Sequence, residues 1–325
     1  MTRRHVLAVE GLGVAIGLTR VVDGVTFDLA AGEIHALVGE SGCGKSMTGF
    51  AIMGLLPPVA RCVGGRVLLE GTDLLTLSEA EMRRVRGGRV SIIFQEPTSS
   101  LDPVMTVGDQ LIEALRAHRP LRRDDARRHA AALLEAVGIA DSARRLRQYP
   151  FELSGGMCQR VMIATALAGK PAVLVADEPT TALDVTIQAQ ILALIKQIRA
   201  ETGTAVLLIT HDMGVVADVA DRVLVMYAGR IVEAAPAEAL FAAPRHPYTW
   251  LLLRSLPRLD GVPKARLPVI EGTVPPVGHR PAGCPFAPRC PLATARCREA
   301  DPALAPIAQD RAVACWHTDQ VGRSP

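Results

Sequence analysis

Gly39-Glu40-Ser41-Gly42-Cys43-Gly44-Lys45-Ser46 satisfies every fixed position of the phosphate-binding pattern G-x-x-x-x-G-K-[ST]. Ahead of it runs Ile34-His35-Ala36-Leu37-Val38, an apolar stretch that predicts a buried strand. Behind it, residues 47–56 predict a helix ended by Pro57-Pro58. Strand, glycine-rich turn and helix are what the chemistry requires. Glycines let backbone N–H groups turn inward around phosphate oxygens, and the helix N-terminus adds favourable partial charge. The Lys45 ammonium can reach the β- and γ-phosphates, and the Ser46 hydroxyl can ligate Mg²⁺. The stretch therefore predicts a P-loop α/β core with all eight residues at a nucleotide's phosphates.

Working outward, the chain has 325 residues, enough for one large domain or two modest ones. Its 49% hydrophobic content supports a sizeable core, and with only 3% aromatics that core must be aliphatic. A net charge of +3 is too small to argue for nucleic acid as a partner. The arginine-rich stretch 116–129 is interrupted by Asp124 and Asp125 and reads as a solvated helix face. No apolar run approaches a membrane span. Residues 1–6 only faintly imitate a signal peptide, since Glu10 breaks the apolar run that follows. A soluble cytoplasmic protein is expected.

Before the P-loop, residues 6–9, 25–29 and 34–38 read as strands, and 66–70 adds another. Ser78-Glu79-Ala80-Glu81 is a capping box opening a short helix. Residues 90–94 read as a buried strand, and 106–150 as a helical insert without strands. From residue 154 helices (157–168, 186–202) alternate with strands (172–176, 205–210), the pattern of a mainly parallel sheet. Two strands flanking Ala228-Gly229 read as a hairpin. Near residue 244 the composition turns proline-rich. A boundary is expected at about 241, followed by a small module with one helix near 248–256.

Val173-Leu174-Val175-Ala176-Asp177-Glu178 is an apolar strand ending in two carboxylates. Asp177 can hold Mg²⁺ through its water shell, and Glu178 can orient or deprotonate the water that attacks a γ-phosphate. Gln95 follows strand 90–94, where its amide can touch Mg²⁺ or the attacking water. His211 follows strand 205–210. If that strand lies beside the P-loop strand, His211 faces the γ-phosphate. Leu153-Ser154-Gly155-Gly156-Met157-Cys158-Gln159-Arg160 supplies a second anion site, a hydroxyl and glycine amides at a helix start.

These motifs in this order resemble the ATP-binding cassette (ABC) ATPases over about residues 5–240. In that family the Ser154, Gly155, Gly156 and Gln159 positions form the signature, which completes the ATP site of a facing subunit. Thr181-Ala182-Leu183-Asp184 matches the D-loop, which places Asp184 at the same interface. The resemblance implies an antiparallel β subdomain, a helical subdomain at about 100–168, and an ATP-hydrolysing dimer. There are two departures. Thr19, flanked by Leu18 and Arg20, stands where the family commonly stacks an aromatic on adenine, and Cys158 stands where close relatives often carry Arg.

Residues 94–103, His246-Pro247-Tyr248-Thr249 and 281–291 resemble the oligopeptide/dipeptide importer subfamily, which also includes nickel importers. That resemblance implies two membrane permeases, a solute-binding protein, a second related ATPase or a second copy, and a place on the cytoplasmic face of the membrane. Four of the seven cysteines, Cys284, Cys290, Cys297 and Cys315, cluster with spacing C-x₅-C-x₆-C-x₁₇-C. In a cytosolic chain this suggests metal before disulfide. Four thiolates suit an iron–sulfur cluster or Zn²⁺, and buried thiols without metal remain a third reading. The resemblance favours a [4Fe–4S] cluster.

Overall fold

A computed structural model describes residues 5–181, 183–256, 268–276 and 278–322. Ala182 of the D-loop stretch, Pro257 and Pro263 of the tail, and the first four residues lie outside the described ones. The chain forms two compact units, each built from separated segments. One comprises residues 1–7, 28–33 and 68–208. The other comprises 8–27, 34–67 and 209–325.

The second unit carries the P-loop. Strands β1 (His5–Ile16), β2 (Thr19–Ala30) and β4 (Ala60–Leu69), most of whose residues belong to it, neighbour one another in the order β2-β1-β4. All three are longer than their apolar segments suggest, because the sheet has a solvent face where polar residues are tolerated. The P-loop strand β3 (Ile34–Val38) is buried at all five positions, and it pairs in parallel with β9 (Arg222–Tyr227) from His35↔Arg222 to Val38↔Val225. β10 (Arg230–Pro236) folds back on β9 through Ala228 (φ 44°) and Gly229 (φ 84°). Two successive positive φ values are the geometry of a type I′ hairpin.

The tail holds more regular structure than its prolines suggest. β11 (Ala305–Ala308) and β12 (Arg311–Val313) pair with each other, and β12 continues the sheet beyond β10 at Glu233↔Val313. The tail also shares the core around β9. Tyr227, Tyr248 and Phe286 are fully buried, with ring centroids 4.7 to 5.4 Å apart. In an aromatic-poor chain, two of the three tyrosines thus meet at this one point. Glu233, completely buried, accepts from Arg311 at 2.8 Å and from the amides of Arg245 and His246, so its charge is satisfied. Asp23 and Asp301 alternate with Arg230 and Arg280 in a closed ring of four ion pairs, 2.6 to 2.9 Å long.

In the first unit, β8 (Ala205–Thr210, of which 205–208 belong here) neighbours β7 (Val173–Asp177), and β7 neighbours β6 (Val90–Ile93). β6 and β7 run parallel, from Val90↔Val173 to Ile93↔Ala176. β5 (Thr72–Asp73) pairs with the end of β4 at Leu69↔Thr72. The capping box at Ser78 and Glu81 opens helix Glu79–Val85 as the spacing predicts. Residues 106–150 are helical throughout their regular structure, with helices Val107–His118 and Arg123–Ala136. The latter buries Ala126, Ala130 and Leu134 and exposes Arg123, Arg127 and Arg128, a solvated basic face.

Candidate nucleotide site

In the second unit β3 delivers the chain to Gly39. That glycine has φ 154°, and a Cβ there would lie 2.2 Å from the Met226 carbonyl oxygen. Gly44 (φ 104°) would bring a Cβ to 2.8 Å from the Val21 carbonyl. These two positions admit only glycine, for reasons of both conformation and space. Helix Lys45–Met53 follows at once. It starts two residues earlier than the apolar pattern suggests and stops at Gly54 (φ 61°), ahead of Pro57-Pro58. The Gly54 and Leu55 amides donate to Ala51 and Phe50, so a left-handed glycine cap, not proline, ends it. No side chain caps its N-terminus, which suits an end that receives phosphate.

Lys45 is 6% exposed, and its Nζ donates to the Gly39 carbonyl (2.8 Å) and the Glu40 carbonyl (3.1 Å). The ammonium is thus held over the loop that precedes it. Cys43 is buried beneath, its Sγ 3.9 Å from Nζ, and burial pushes its thiol up despite the nearby Lys45 charge. Two groups that the P-loop pattern does not anticipate reach Glu40. The Tyr248 hydroxyl accepts from its amide at 2.9 Å. Arg289 grips its carboxylate with two bonds, 2.6 and 2.9 Å long, and Tyr227 in turn bonds Arg289. Beside Gly42 opens a cleft of about 330 Å³, lined by Thr19 and Arg20 on one side and Val274, Pro275 and Pro276 on the other. His211, also in this unit, is exposed directly after β8, and Asp212 caps the helix that follows through the Gly214 and Val215 amides.

The first unit brings Gln95 and Glu178 together. Ile93 is in register with Ala176, and Gln95 and Glu178 each lie two residues past that pair, at the same end of the parallel strands. Gln95 Nε2 donates to Glu178 Oε2 at 3.1 Å, and Thr181 Oγ1 donates to that same oxygen at 2.8 Å. Glu178 sits at φ 48°, a strained conformation for a residue with a side chain. Asp177 is 3% exposed at the end of β7. Helix Gly155–Leu167 begins at the signature, with Ser154 as its N-cap. Ser154 and Gly155 are exposed, whereas Gln159 is buried and donates to the Pro179 carbonyl at 2.7 Å. That bond ties the signature helix to the turn after Glu178. Cys158 is buried, and its thiol donates to the Pro150 carbonyl at 3.4 Å. Asp184 is exposed and caps helix Val185–Thr202 through the Thr186 and Ile187 amides, both at 3.0 Å.

The four tail cysteines are brought into one neighbourhood, all as free thiols. The Cys284 amide donates to the Cys297 carbonyl, and Thr294 bonds both Cys297 Sγ and His317, two residues past Cys315. Cys290 interacts electrostatically with Cys315, Cys284 and Cys297. Burial pushes the Cys290 thiol up to about 12 and Cys315 up to about 11. Yet among the described residues no group of three or more His, Cys, Asp or Glu side chains stands close enough to hold a metal ion. The finished metal centre that the spacing predicts is therefore not seen. Metal ligation requires thiolates, and desolvation favours the protonated form at Cys284, Cys290 and Cys315.

Strand-to-P-loop-to-helix, carboxylates at a parallel strand end and a serine-glycine helix start together define an ATP-binding cassette. Comparison with known proteins identifies it further. The ABC transporter family model matches residues 22–181, and the model of the oligopeptide/dipeptide transporter C-terminal region matches 232–297. A probable peptide ABC transporter ATP-binding protein, y4tR of Sinorhizobium fredii, is 53% identical over 94% of this chain and 91% of its own. The dipeptide transport ATP-binding protein DppD of Bacillus subtilis is 51% identical over 97% and 95%. Among solved structures, cbiO1 of Clostridium perfringens, part of the cbiONQ ABC transporter complex, superposes with TM-score 0.65 at 28% identity, over 73% of this chain and 91% of that one. The cassette MJ0796, a dimer in a post-hydrolysis state bound to ADP and Pi, gives 0.63 at 25% identity, over 71% and 98%. The chain belongs to the ABC transporter ATP-binding proteins.

Proposed function

We propose that this chain is the ATP-hydrolysing subunit of an importer for dipeptides or oligopeptides, bound to membrane permeases at the cytoplasmic face. The observation that carries this reading is the pairing of a complete ATP-binding cassette with the oligopeptide-transporter C-terminal region in one chain. Relatives above 50% identity across more than nine-tenths of both chains carry peptide and dipeptide transport names. No helix among the described residues is long and apolar enough to cross a membrane. The helical insert offers the permeases a surface. A groove of about 710 Å³ runs past Val104 and Tyr149, Val104 is 80% exposed, and Phe151, 74% exposed, stacks on Tyr149. We take the cassette as residues 1–241 and the extension as 242–325.

In this reading Gly39 to Ser46 hold the triphosphate, with Lys45 swinging from the Gly39 and Glu40 carbonyls to the β- and γ-phosphates. Ser46, Gln95 and Asp177 organise Mg²⁺. Glu178 takes the proton of the attacking water, held in place by the bonds that Gln95 and Thr181 donate to one of its oxygens. His211 contacts the γ-phosphate. The base lies in the cleft beside Thr19, where the apolar Val274, Pro275 and Pro276 stand in for a stacking ring. Ser154, Gly155, Gly156 and Gln159, with Asp184 of the D-loop, complete the site of a facing ATPase, and Ser154, Gly155 and Asp184 are exposed. That facing subunit is a related ATPase or a second copy. Nickel import by the same machinery, and a non-transport role in DNA repair or translation, are the competing readings.

The four cysteines are also proposed to hold a [4Fe–4S] cluster, with Zn²⁺ as the alternative. Four free thiols in one neighbourhood are a soft donor set, which must draw closer together to hold a metal ion. A cluster would supply a cross-link that orders the tail, and the thiols' part is to lose their protons and hold it. Protein purified without oxygen should be brown with broad absorbance near ~400 nm, and each Cys→Ser change should bleach it. Stoichiometric zinc with no iron or sulfide would replace this with a zinc site. For the function itself, the chain should be co-purified with its permeases in proteoliposomes. Peptide-loaded binding protein should stimulate hydrolysis and peptide uptake. Stimulation by Ni²⁺ alone would overturn the peptide reading, and failure to bind any membrane partner would overturn the transport reading.

A further inference from the structure

The P-loop pattern leaves position 40 open, and here it is glutamate. A carboxylate beside a triphosphate site is electrostatically adverse, since like charges at close range repel and part-buried groups are poorly screened. Arg289 answers that charge across 249 residues. Its guanidinium is 5% exposed and bidentate on Glu40, the geometry that makes arginine–carboxylate pairs both strong and directional. The remaining donors are fixed as well. Nε donates to the Glu271 carbonyl at 2.9 Å and Nη2 to the Ile270 carbonyl at 3.2 Å, while the Tyr227 hydroxyl lies 3.3 Å from Nη1. Such a guanidinium cannot follow Glu40 if the loop moves. It sets where the loop sits.

The loop it sets is the one that holds Lys45. Nζ donates to the carbonyls of Gly39 and Glu40, and the Glu40 amide is held by Tyr248. We infer that Arg289 is a positioning residue of the nucleotide site, pinning the Glu40 carboxylate away from the phosphates and fixing the Gly39-Glu40 backbone that docks Lys45. The extension is then part of the ATP site and not an appendage to it. This inference rests on the reading of Lys45 and the P-loop as that site.

The test is a double-mutant cycle on the full-length chain, reading Mg-ATP affinity by equilibrium titration and KM against kcat by steady-state hydrolysis. Arg289→Ala should weaken ATP binding by about tenfold or more, the scale of losing one partner of a desolvated charge pair, and should raise KM far more than it lowers kcat. Adding Glu40→Gln to Arg289→Ala should recover most of that loss, because the charge needing an answer is gone. Arg289→Lys should recover part of it, keeping the charge but not the fork. Circular dichroism and a melting curve accompany each variant. If Arg289→Ala does not fold, the comparison is made between Arg289→Lys with and without Glu40→Gln. Unchanged ATP affinity in a folded Arg289 variant, or a loss that Glu40→Gln does not relieve, overturns the inference. Lys45→Ala separates the two claims: if it leaves ATP affinity intact, the P-loop reading itself has failed.

Discussion

Two helix starts in this molecule are proposed to take an anion, and they are finished to different degrees. The start at Lys45 is enclosed. Lys45 is buried, Gly39 and Gly44 lie against backbone oxygens, and Glu40 is held by Tyr248 and Arg289 from far along the chain. The start at Gly155 is open. Ser154 and Gly155 are exposed, and an added Cβ at Gly155 would meet nothing within 4 Å. Gln159, one turn in, is nevertheless buried and tied to the turn after Glu178. The contrast teaches that the P-loop is shaped by contacts from residues of its own unit far along the chain. The signature is anchored at its back and bare at its front, as a surface awaiting a partner would be.

The largest expected effect lies on the chemistry that the signature helix is tied to. Glu178→Gln should lower turnover by ~10²–10⁴-fold, the contribution of a positioned general base, and should leave ATP binding in place. Lys45→Ala should do the reverse, weakening binding first. Near-normal hydrolysis by Glu178→Gln would remove that residue from its role and break the link drawn from Gln159 to the catalytic turn.

A second prediction probes the enclosure of the P-loop. Phe286→Ala removes a fully buried ring packed on Tyr227 and Tyr248 and should destabilise the protein by about 3–5 kcal/mol. Urea unfolding monitored by the tyrosines would show it. A loss below about 1 kcal/mol would mean that the extension is laid on the cassette and not built into it. Smaller again is Tyr248→Phe, which removes one acceptor from the Glu40 amide and should cost about 1 kcal/mol. It should also loosen Mg-ATP binding by less than Arg289→Ala does. A larger effect than that of Arg289→Ala would move the main anchor from charge to hydrogen bonding.

The enclosed site was half legible in the sequence, and the open one almost wholly. Gly39 to Ser46, Asp177-Glu178 and Ser154 to Gln159 are local patterns, in which neighbouring residues jointly build one turn. Their chemistry follows from spacing. Arg289 and Tyr248 contact Glu40 across 249 and 208 residues, and no periodicity records such a meeting. The tail strands escaped notice for a different reason. Every residue of β11 is exposed and one is Pro306, so neither alternation nor hydrophobicity marks it, and it exists because β12 finds an edge on β10. Helix Lys45–Met53 ends before Pro57-Pro58, because the left-handed cap at Gly54 acts first while proline is the louder signal in the sequence.

Ser154→Arg tests the contrast most directly. The change is made in the Glu178→Gln background so that ATP persists, with the partner ATPase of the same transporter present. Mg-ATP binding is read by titration and ATP-dependent association by analytical ultracentrifugation. The account predicts unchanged ATP binding to this chain's own P-loop and loss of association, because a bulky cation fills the open helix start where the facing nucleotide must dock. Association at full strength with Arg in place of Ser154 would contradict it.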